Sequence, residues 1–171
     1  PKRMVPEFWI QEAIEEIETK ENIKYDKLQK DAVYTIYQNN LTLLTGGPGT
    51  GKTTLIKTIL AAWGDRESVM LMAPTGRASR RIAEVTGYPA STIHKSLGYA
   101  FINGKMDFCS NENNPLTCDL LIVDETHMID LPLAASLMRA VANGTKVVLI
   151  GDMDQLPPIG PGNIFRDLIT S

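Results

Sequence analysis

Several features are scarce in this sequence, and each scarcity excludes a class of protein. Only two cysteines occur, Cys109 and Cys118, with no CxxC motif and no clustered histidines, so neither a disulfide framework nor a zinc site is indicated. No run approaches the roughly 18 apolar residues of a membrane span, and no charged-then-apolar leader opens the chain. We therefore expect a reduced, cytoplasmic protein with no membrane partner.

Basic residues are also fewer than acidic residues, with 17 Lys and Arg against 20 Asp and Glu. The formal net charge is -3, so the overall field of the protein does not attract nucleic acid, and any such binding must use a local groove. The 171 residues, 43% hydrophobic and 22% charged, are ordinary for one globular domain with a full core. The chain begins at Pro1 without an initiator methionine and ends at Ser171 inside an amphipathic run, so we expect an excerpt of a longer protein.

The apolar pattern predicts an α/β fold. Apolar residues at three- and four-residue spacing between Glu7 and Asn40 predict two helices, broken near "ENIKYD". Continuous apolar runs, typical of strands covered on both faces, follow at 41–45, 69–73, 119–125 and 146–152. Helical stretches begin near Lys52, Thr75 and Leu131. This alternation of strand and helix predicts a three-layer fold with a mostly parallel sheet.

Two smaller features complete the predicted organisation. Asn103 and Gly104, between two apolar flanks, predict a type I′ turn and a small β-hairpin insertion off the main sheet. We expect residues 1–40 to form an N-terminal helical segment that leads into a single domain over residues 41–171.

A glycine-rich turn carries the strongest motif. Gly46, Gly51, Lys52 and Thr53 satisfy GxxxxGK[ST], between an apolar strand and an apolar helix. In such a turn backbone N–H groups face phosphate oxygens at a helix N-terminus, Lys52 reaches the β- and γ-phosphates, and the Thr53 hydroxyl ligates Mg²⁺. The alternative is a structural turn with a surface lysine. The residues expected to line the phosphates are Gly46, Gly47, Pro48, Gly49, Thr50, Gly51, Lys52, Thr53 and Thr54.

Polar side chains follow two of the buried runs. In "LLIVDE", Asp124 can hold Mg²⁺ through water and Glu125 can orient and deprotonate an attacking water. That second acid favours a hydrolase over a kinase, although a carboxylate can also simply cap the next helix. In "LIGDMDQLPP", Gln155 can hydrogen-bond a terminal phosphate; the alternative is a surface loop residue.

Six motifs occur in one order: "LQKDAV", "GGPGTGKTT", "APTGRAS", "STIHKSLG", "NPLTCDLLIVDE" and "GDMDQLPPIGPGNIFRDL". Together they resemble the first motor domain of superfamily 1 DNA helicases of the RecD type, over Tyr25 to Ser171. The resemblance implies a RecA-like P-loop NTPase fold, ATP and Mg²⁺ as cofactors, and 5′-to-3′ movement on single-stranded DNA.

The resemblance also implies partners. These are a second motor domain of the same chain and other subunits of a DNA-repair helicase–nuclease complex of the exodeoxyribonuclease V kind. The second motor domain supplies arginines to the γ-phosphate, which are worth about 10³–10⁵ in rate in related enzymes. We therefore expect this chain alone to bind ATP and to hydrolyse it slowly.

Individual roles follow from the same resemblance. Gln29 is similar to the glutamine that reads the adenine edge; from the residues alone it is an exposed helix residue. The DNA-contacting residues implied by "APTGRAS" and "STIHKSLG" are Thr75, Gly76, Arg77, His94 and Lys95. The alternatives are a solvated basic face for the arginines that follow Arg77 and a structural role for His94.

One departure from the family pattern concerns the residues after the acid pair. Small residues are usual there, whereas this chain has Thr126 and His127, which give "DETH", a box of superfamily 2. The third motif, "GDMDQLPP", keeps the assignment in superfamily 1. His127 either couples the ATP site to Gln155 or to DNA, or fills space.

Two other functions remain as alternatives. A P-loop kinase or transferase would use the glycine-rich turn but has no need of Glu125 or the DNA-side motifs. A binding-only module would use ATP as a switch without turnover.

Overall fold

A computed structural model describes residues 4–46 and 51–152 of the protein. Within these residues the strands are β1 (Leu41–Thr45), β2 (Val69–Ala73), β3 (Ala90–Thr92), β4 (Tyr99–Ile102), β5 (Lys105–Phe108), β6 (Leu120–Val123) and β7 (Lys146–Gly151). The helices are α1 (Glu7–Glu21), α2 (Lys27–Gln38), α3 (Lys52–Trp63), α4 (Gly76–Thr86), α5 (Ile93–Ser96) and α6 (Leu131–Ala140), and 3₁₀ turns occupy Arg66–Ser68 and Thr126–Met128.

The main sheet runs in the order β1-β7-β6-β2-β3, with every neighbouring pair parallel. The strands nearest the site, β2, β6, β7 and β1, are neighbours in that order, and β3 lies at the edge beyond β2. Because all strands point the same way, their carboxyl ends share one edge of the sheet. The segments that follow β1, β2, β6 and β7 are therefore brought to that edge.

Two hydrophobic clusters, one on each face of the sheet, make the predicted three layers. In β6, Leu120 and Ile122 join a cluster with residues of α1 to α4, whereas Leu121 and Val123 join a cluster with residues of α5 and α6. The alternation is the two-residue period of a strand, and it explains why a strand covered on both faces is apolar throughout. None of the described helices is both long and apolar enough to cross a bilayer.

Several helix starts, but not those of α1 and α3, are fixed by capping side chains. Asp26 accepts the N–H of Gln29 at the start of α2, Thr75 accepts the N–H of Ala78 at α4, and Asp130 accepts the N–H of Leu133 at α6. These side chains satisfy N–H groups that have no partner within the helix. The predicted starts of α3, α4 and α6 are confirmed, as is the break between α1 and α2.

The predicted hairpin is also confirmed. Strands β4 and β5 pair antiparallel in a sheet of their own, joined by Asn103 and Gly104. Both residues have positive φ, 50° and 84°, as a type I′ turn requires. Strand β3 and the single turn of α5 were not predicted, since β3 contains only three residues and no apolar run.

A buried lysine ties α2 to the sheet. Lys146, 2% exposed at the start of β7, donates from Nζ to the carbonyls of Ile36 (2.9 Å), Tyr37 (3.4 Å) and Asn39. Burial lowers the pKa of Lys146, and the helix C-terminus supplies the partners that the cation needs. The end of α2 is therefore fixed at the amino-terminal edge of the sheet, away from the edge that carries the motifs.

Candidate functional site

The site lies where β1 and β6 end. Gly46 follows β1, and α3 begins at Lys52; Asp124 and Glu125 follow β6, which is separated from β1 by β7. The glycine turn and the acid pair therefore share one edge of the sheet, as the motifs predicted. Gly47, Pro48, Gly49 and Thr50 lie outside the described residues, as does Gln155.

The described ends of the glycine turn are closely tied together. Gly51 has φ 75°, a left-handed conformation that glycine adopts without strain. Its carbonyl accepts the N–H of Leu55 (3.0 Å), so α3 begins here. Lys52 Nζ donates to the carbonyl of Gly46 (3.3 Å) and thus lies across the two ends of the turn. Thr53 and Thr54 follow in the first turn of α3, half-buried.

Gln29 lies beside this turn. A Cβ atom built on Gly51 would be 3.3 Å from Gln29 Nε2. The other end of the amide is held in a capping box, because Gln29 Oε1 accepts the N–H of Asp26 (3.0 Å) while Asp26 Oδ1 accepts the N–H of Gln29 (2.8 Å). The Nε2 donor is thereby aimed at the end of the glycine turn.

Asp124 is a half-buried carboxylate at the carboxyl end of β6. Its N–H donates to the carbonyl of Met72 (2.9 Å), which continues the pairing with β2 by one residue. Burial raises the pKa of Asp124, and the adjacent Glu125 carboxylate raises it further; the N–H of Glu125 and the charge of Lys52 act in the opposite direction. A carboxylate penalised in this way is stabilised by a cation placed beside it.

The donor set suits magnesium better than a metal held by protein alone. No group of three or more His, Cys, Asp or Glu side chains that could hold a metal exists within residues 4–46 and 51–152. Magnesium is usually bound through one or two carboxylates together with waters and substrate phosphates. Asp124 and the Thr53 hydroxyl are the described oxygen donors available for that arrangement.

Glu125 turns the chain away from β6. Its φ of 55° places a residue with a Cβ atom in the left-handed region, which is uncommon outside glycine and is typical of functional sites. The turn Thr126–Met128 follows directly, and its Met128 N–H donates to the Glu125 carbonyl (3.0 Å). The Glu125 side chain keeps 30% of its surface exposed, so it can reach solvent at the edge of the sheet.

His127 lies behind Glu125, 3% exposed. Its Nδ1 accepts the N–H of Asp152 (3.1 Å), the residue that follows β7. Its Nε2 is 3.0 Å from Glu125 Oε2, but the oxygen lies off the N–H direction, so the contact is close without being a well-aligned hydrogen bond. The sequence left the role of His127 open; the structure brings its ring between the acid pair and β7.

The neighbouring hydroxyl reinforces this link. Thr126 Oγ1 donates to the carbonyl of Ile150 (3.0 Å), so the turn after Glu125 is fixed to the end of β7. Asp152 itself is 1% exposed and was not among the predicted site residues. The signal was available, because Asp152 is a polar residue directly after a buried strand.

The five DNA-side candidates follow β2 and β3 at the same edge. Thr75 caps α4, and Gly76 and Arg77 are exposed in its first turn. His94 and Lys95 are exposed on α5. The His94 ring packs at 5.2 Å from the Tyr99 ring of the hairpin, which gives it a structural contact in addition to its exposure.

A protein-family model described as an AAA domain matches residues 29–161. The match begins at Gln29 and includes both acids of the pair. It covers more than half of the chain and includes all five strands of the main sheet.

Curated proteins with similar sequences include a DNA helicase and subunits of the RecBCD enzyme. The chain is 49% identical over 125 residues to the ATP-dependent RecD2 DNA helicase of Deinococcus radiodurans, covering 72% of this chain and 17% of that protein. It is 36% identical over 165 residues to the RecBCD enzyme subunit RecD of Buchnera aphidicola, covering 84% of this chain and 27% of that subunit. The chain thus spans only a small part of the length of these relatives.

Solved structures with a similar fold include Pif1 helicases. A structure of two coordinating Pif1 helicases on forked DNA superposes with a TM-score of 0.61 at 24% identity, covering 86% of this chain and 38% of that one. Pif1 from Bacteroides in complex with ADP-AlF4 superposes with a TM-score of 0.59 at 23% identity, covering 85% and 36%. At these identities the likeness concerns the fold alone.

Proposed function

The chain belongs to the AAA-domain family and has RecD-type helicases among its relatives, and we propose that it is the ATP-binding first motor domain of a superfamily 1 DNA helicase. We assign the motor domain to residues 41–171 and regard residues 1–40 as the helical segment that leads into it. In the whole protein this domain would couple Mg²⁺-dependent ATP hydrolysis to 5′-to-3′ movement on single-stranded DNA.

One observation carries the proposal. The glycine turn and the acid pair lie at the same edge of one parallel sheet, and the charge of Lys52 acts on Asp124. A nucleotide whose phosphates enter the turn would have its terminal phosphate near Lys52 and the acid pair. This is the arrangement that hydrolysis of a nucleoside triphosphate needs.

We assign roles on that basis. Backbone N–H groups between Gly46 and Thr54, other than at Pro48, which has none, cradle the phosphates, and Lys52 neutralises charge on the β- and γ-phosphates. Thr53 and Asp124 would hold Mg²⁺, which when bound neutralises charge that develops on phosphate oxygens. Glu125 accepts a proton from the attacking water and orients that water in line with the bond to be broken.

The remaining residues serve recognition. Gln29 contacts the adenine edge, and Gln155 hydrogen-bonds the terminal phosphate. The five residues that contact single-stranded DNA are Thr75, Gly76, Arg77, His94 and Lys95. Phosphate contacts of this type position a strand without reading its sequence.

Partners follow from the relatives. The second motor domain of the same chain would supply arginines to the γ-phosphate, and RecBCD subunits among the relatives support an assembly with other subunits of a DNA-repair complex. We propose a cytoplasmic location for that assembly.

Two substitutions in the full-length protein test the proposal. Lys52→Ala should weaken ATP binding and abolish turnover, whereas Glu125→Gln should leave ATP binding intact and stop phosphate release. Glu112→Gln replaces an exposed carboxylate on the loop after β5; it is the matched control and should change neither ATP binding nor turnover.

Three outcomes would contradict the proposal. Unchanged turnover in Glu125→Gln would mean that another residue is the catalytic base. Transfer of phosphate to an added nucleoside would indicate a kinase, and turnover that single-stranded DNA does not raise would favour a binding-only switch.

A further inference from the structure

We propose that His127 is a positioning residue that links the Glu125 carboxylate to the backbone of Asp152, so that the base is correctly oriented only when the Asp152 N–H is in place. The inference rests on the proposed role of Glu125 in hydrolysis. It adds a mechanism by which a change in the position of residue 152 alters the rate of hydrolysis.

The contacts of the ring carry the inference. One nitrogen, Nδ1, lies 3.1 Å from the Asp152 N–H, and the other, Nε2, lies 3.0 Å from Glu125 Oε2. The ring is 3% exposed and Asp152 is 1% exposed, so water does not substitute freely for either contact. A single rigid side chain thus joins two segments that are 25 residues or more apart in the sequence.

The two contacts depend on each other through the tautomer of the ring. Because Nδ1 accepts a hydrogen bond from Asp152, a neutral imidazole must carry its proton on Nε2. The hydrogen bond to the backbone therefore determines that a donor, and not a lone pair, faces the Glu125 carboxylate. If the Asp152 N–H moved away, both the orientation of the ring and the tautomer would no longer be determined.

The oblique contact with Glu125 also has a consequence. The Nε2–H group is near the carboxylate without being aligned to it. A small rotation of the Glu125 side chain would align them, and catalytic hydrogen bonds commonly tighten only when substrate is bound. Thr126, which holds the same turn to Ile150, keeps the backbone fixed while the side chains adjust.

The simpler alternative is that His127 only fills space. Three substitutions at this position separate the two explanations. Asn can place an acceptor where Nδ1 lies and keeps the Asp152 contact alone; Gln can place a donor where Nε2 lies and keeps the Glu125 contact alone; Leu fills a similar volume and keeps neither. If positioning needs both contacts, all three variants lose the same function.

The experiment measures ATP turnover on single-stranded DNA in the full-length protein. His127→Asn, His127→Gln and His127→Leu should each lower kcat by about 10- to 100-fold, since small misplacements of a catalytic group have effects of that size, with KM for ATP within about twofold of the wild type. Glu112→Gln serves as the control. A His127→Leu variant with wild-type kcat would overturn the proposal. Variants that lose kcat/KM only because KM for ATP rises, with kcat unchanged, would overturn it as well.

A second measurement is made on the wild-type protein and does not depend on the activity of any His127 variant. In ¹⁵N imidazole spectra of the full-length protein, the resonances that disappear in His127→Gln belong to His127, whatever the number of histidines outside the 171 residues. We expect His127 to show the neutral tautomer with the proton on Nε2, and its Nε2 resonance to shift in Glu125→Gln but not in Glu112→Gln. The Nδ1–H tautomer, or no response to Glu125→Gln, would overturn the proposal.

The two proposals fail separately. If Glu125→Gln retains turnover, the proposed base is wrong whatever His127 does. If Glu125→Gln stops turnover while His127→Leu does not, the hydrolytic function stands and the positioning role of His127 is wrong.

Discussion

Gln29 Nε2 would lie 3.3 Å from a Cβ atom on Gly51, so the first turn of α2 and the end of the glycine turn leave no room for a larger residue between them without movement. The contact joins the residue proposed to read the base with the turn proposed to hold the phosphates. The two halves of a nucleotide would therefore be bound by segments that already lie side by side.

Gln29 combines a structural role with the proposed recognition role, and two substitutions separate them. Gln29→Glu keeps an oxygen for the Asp26 N–H but removes the Nε2 donor, so selectivity for ATP over other triphosphates should fall while the thermal midpoint stays within a few degrees. Gln29→Ala removes both; Asp26 still caps the backbone N–H of residue 29, so loss of the reciprocal hydrogen bond should cost about 0.5–1.5 kcal/mol. Competition binding and thermal unfolding measure the two effects. If the wild type and Gln29→Glu had equal selectivity for ATP, Gln29 would not be the residue that recognises the adenine edge.

Gly51 should tolerate substitution less than other glycines. Gly51→Ala combines positive φ with the Gln29 contact, and we expect a loss of about 1–2 kcal/mol together with weaker nucleotide binding. Gly87→Ala has φ 69° with nothing within 4 Å and isolates the strain. Gly76→Ala has neither feature and should be neutral or stabilising. Denaturant unfolding gives the free energy of unfolding of the three variants. We expect Gly51→Ala to be the least stable and Gly76→Ala the most stable, and any other order would contradict the predicted combination of strain and crowding at Gly51.

Asp124 should reduce the stability of the nucleotide-free protein. Since its folded pKa is raised above the ordinary 3.8, the ionised form is penalised in the folded state. Asp124→Asn should therefore raise the free energy of unfolding at neutral pH. The advantage should grow as pH rises through the raised folded pKa and vanish below 3.8, where both folded and unfolded carboxyls are protonated.

Thermal unfolding across a pH series measures this effect. Magnesium with nucleotide should stabilise the wild type and do so less in Asp124→Asn. A destabilised Asp124→Asn variant at neutral pH would show that the carboxylate makes favourable contacts that exceed its burial penalty.

Lys146 should be needed for stability rather than for chemistry. Lys146→Met keeps the length of the side chain but leaves the carbonyls at the end of α2 without their donor, so we expect a loss of about 1–3 kcal/mol. Lys105→Met, at an exposed lysine of the hairpin, is the control and should change little. Urea unfolding measures the stability of both variants. If Lys146→Met had the same midpoint as the wild type, water would have to satisfy the carbonyls at the end of α2.

The sequence predicted the elements whose signal is local. Buried strands such as β6 and β7 are apolar on both faces, helices carry apolar residues at three- and four-residue spacing, and the hairpin turn needs residues that accept positive φ. Strand β3 could not be predicted in this way, because three partly buried residues become a strand only by pairing with β2.

In the site, too, features with a local sequence signal were predicted and contacts between distant residues were not. The motifs predicted which strands end at the common edge, but not what His127 or Lys146 contacts. The partner of His127 lies 25 residues away, and the carbonyls bound by Lys146 lie more than 100 residues away, so neither contact has a local signature. The roles assigned to the site residues all stay predictions, and Gly47, Pro48, Gly49, Thr50 and Gln155 in addition lie outside the described part of the chain.

Helix α2, about 18 Å long, is held at both ends: its capping box lies beside the glycine turn, and Lys146 binds its carbonyls at the opposite edge of the sheet. A base that binds Gln29 would therefore contact a surface that is already formed in the folded protein. Nucleotide affinity in this protein should consequently depend little on reorganisation of α2, and exchange of its amide hydrogens should be nearly the same with and without ATP.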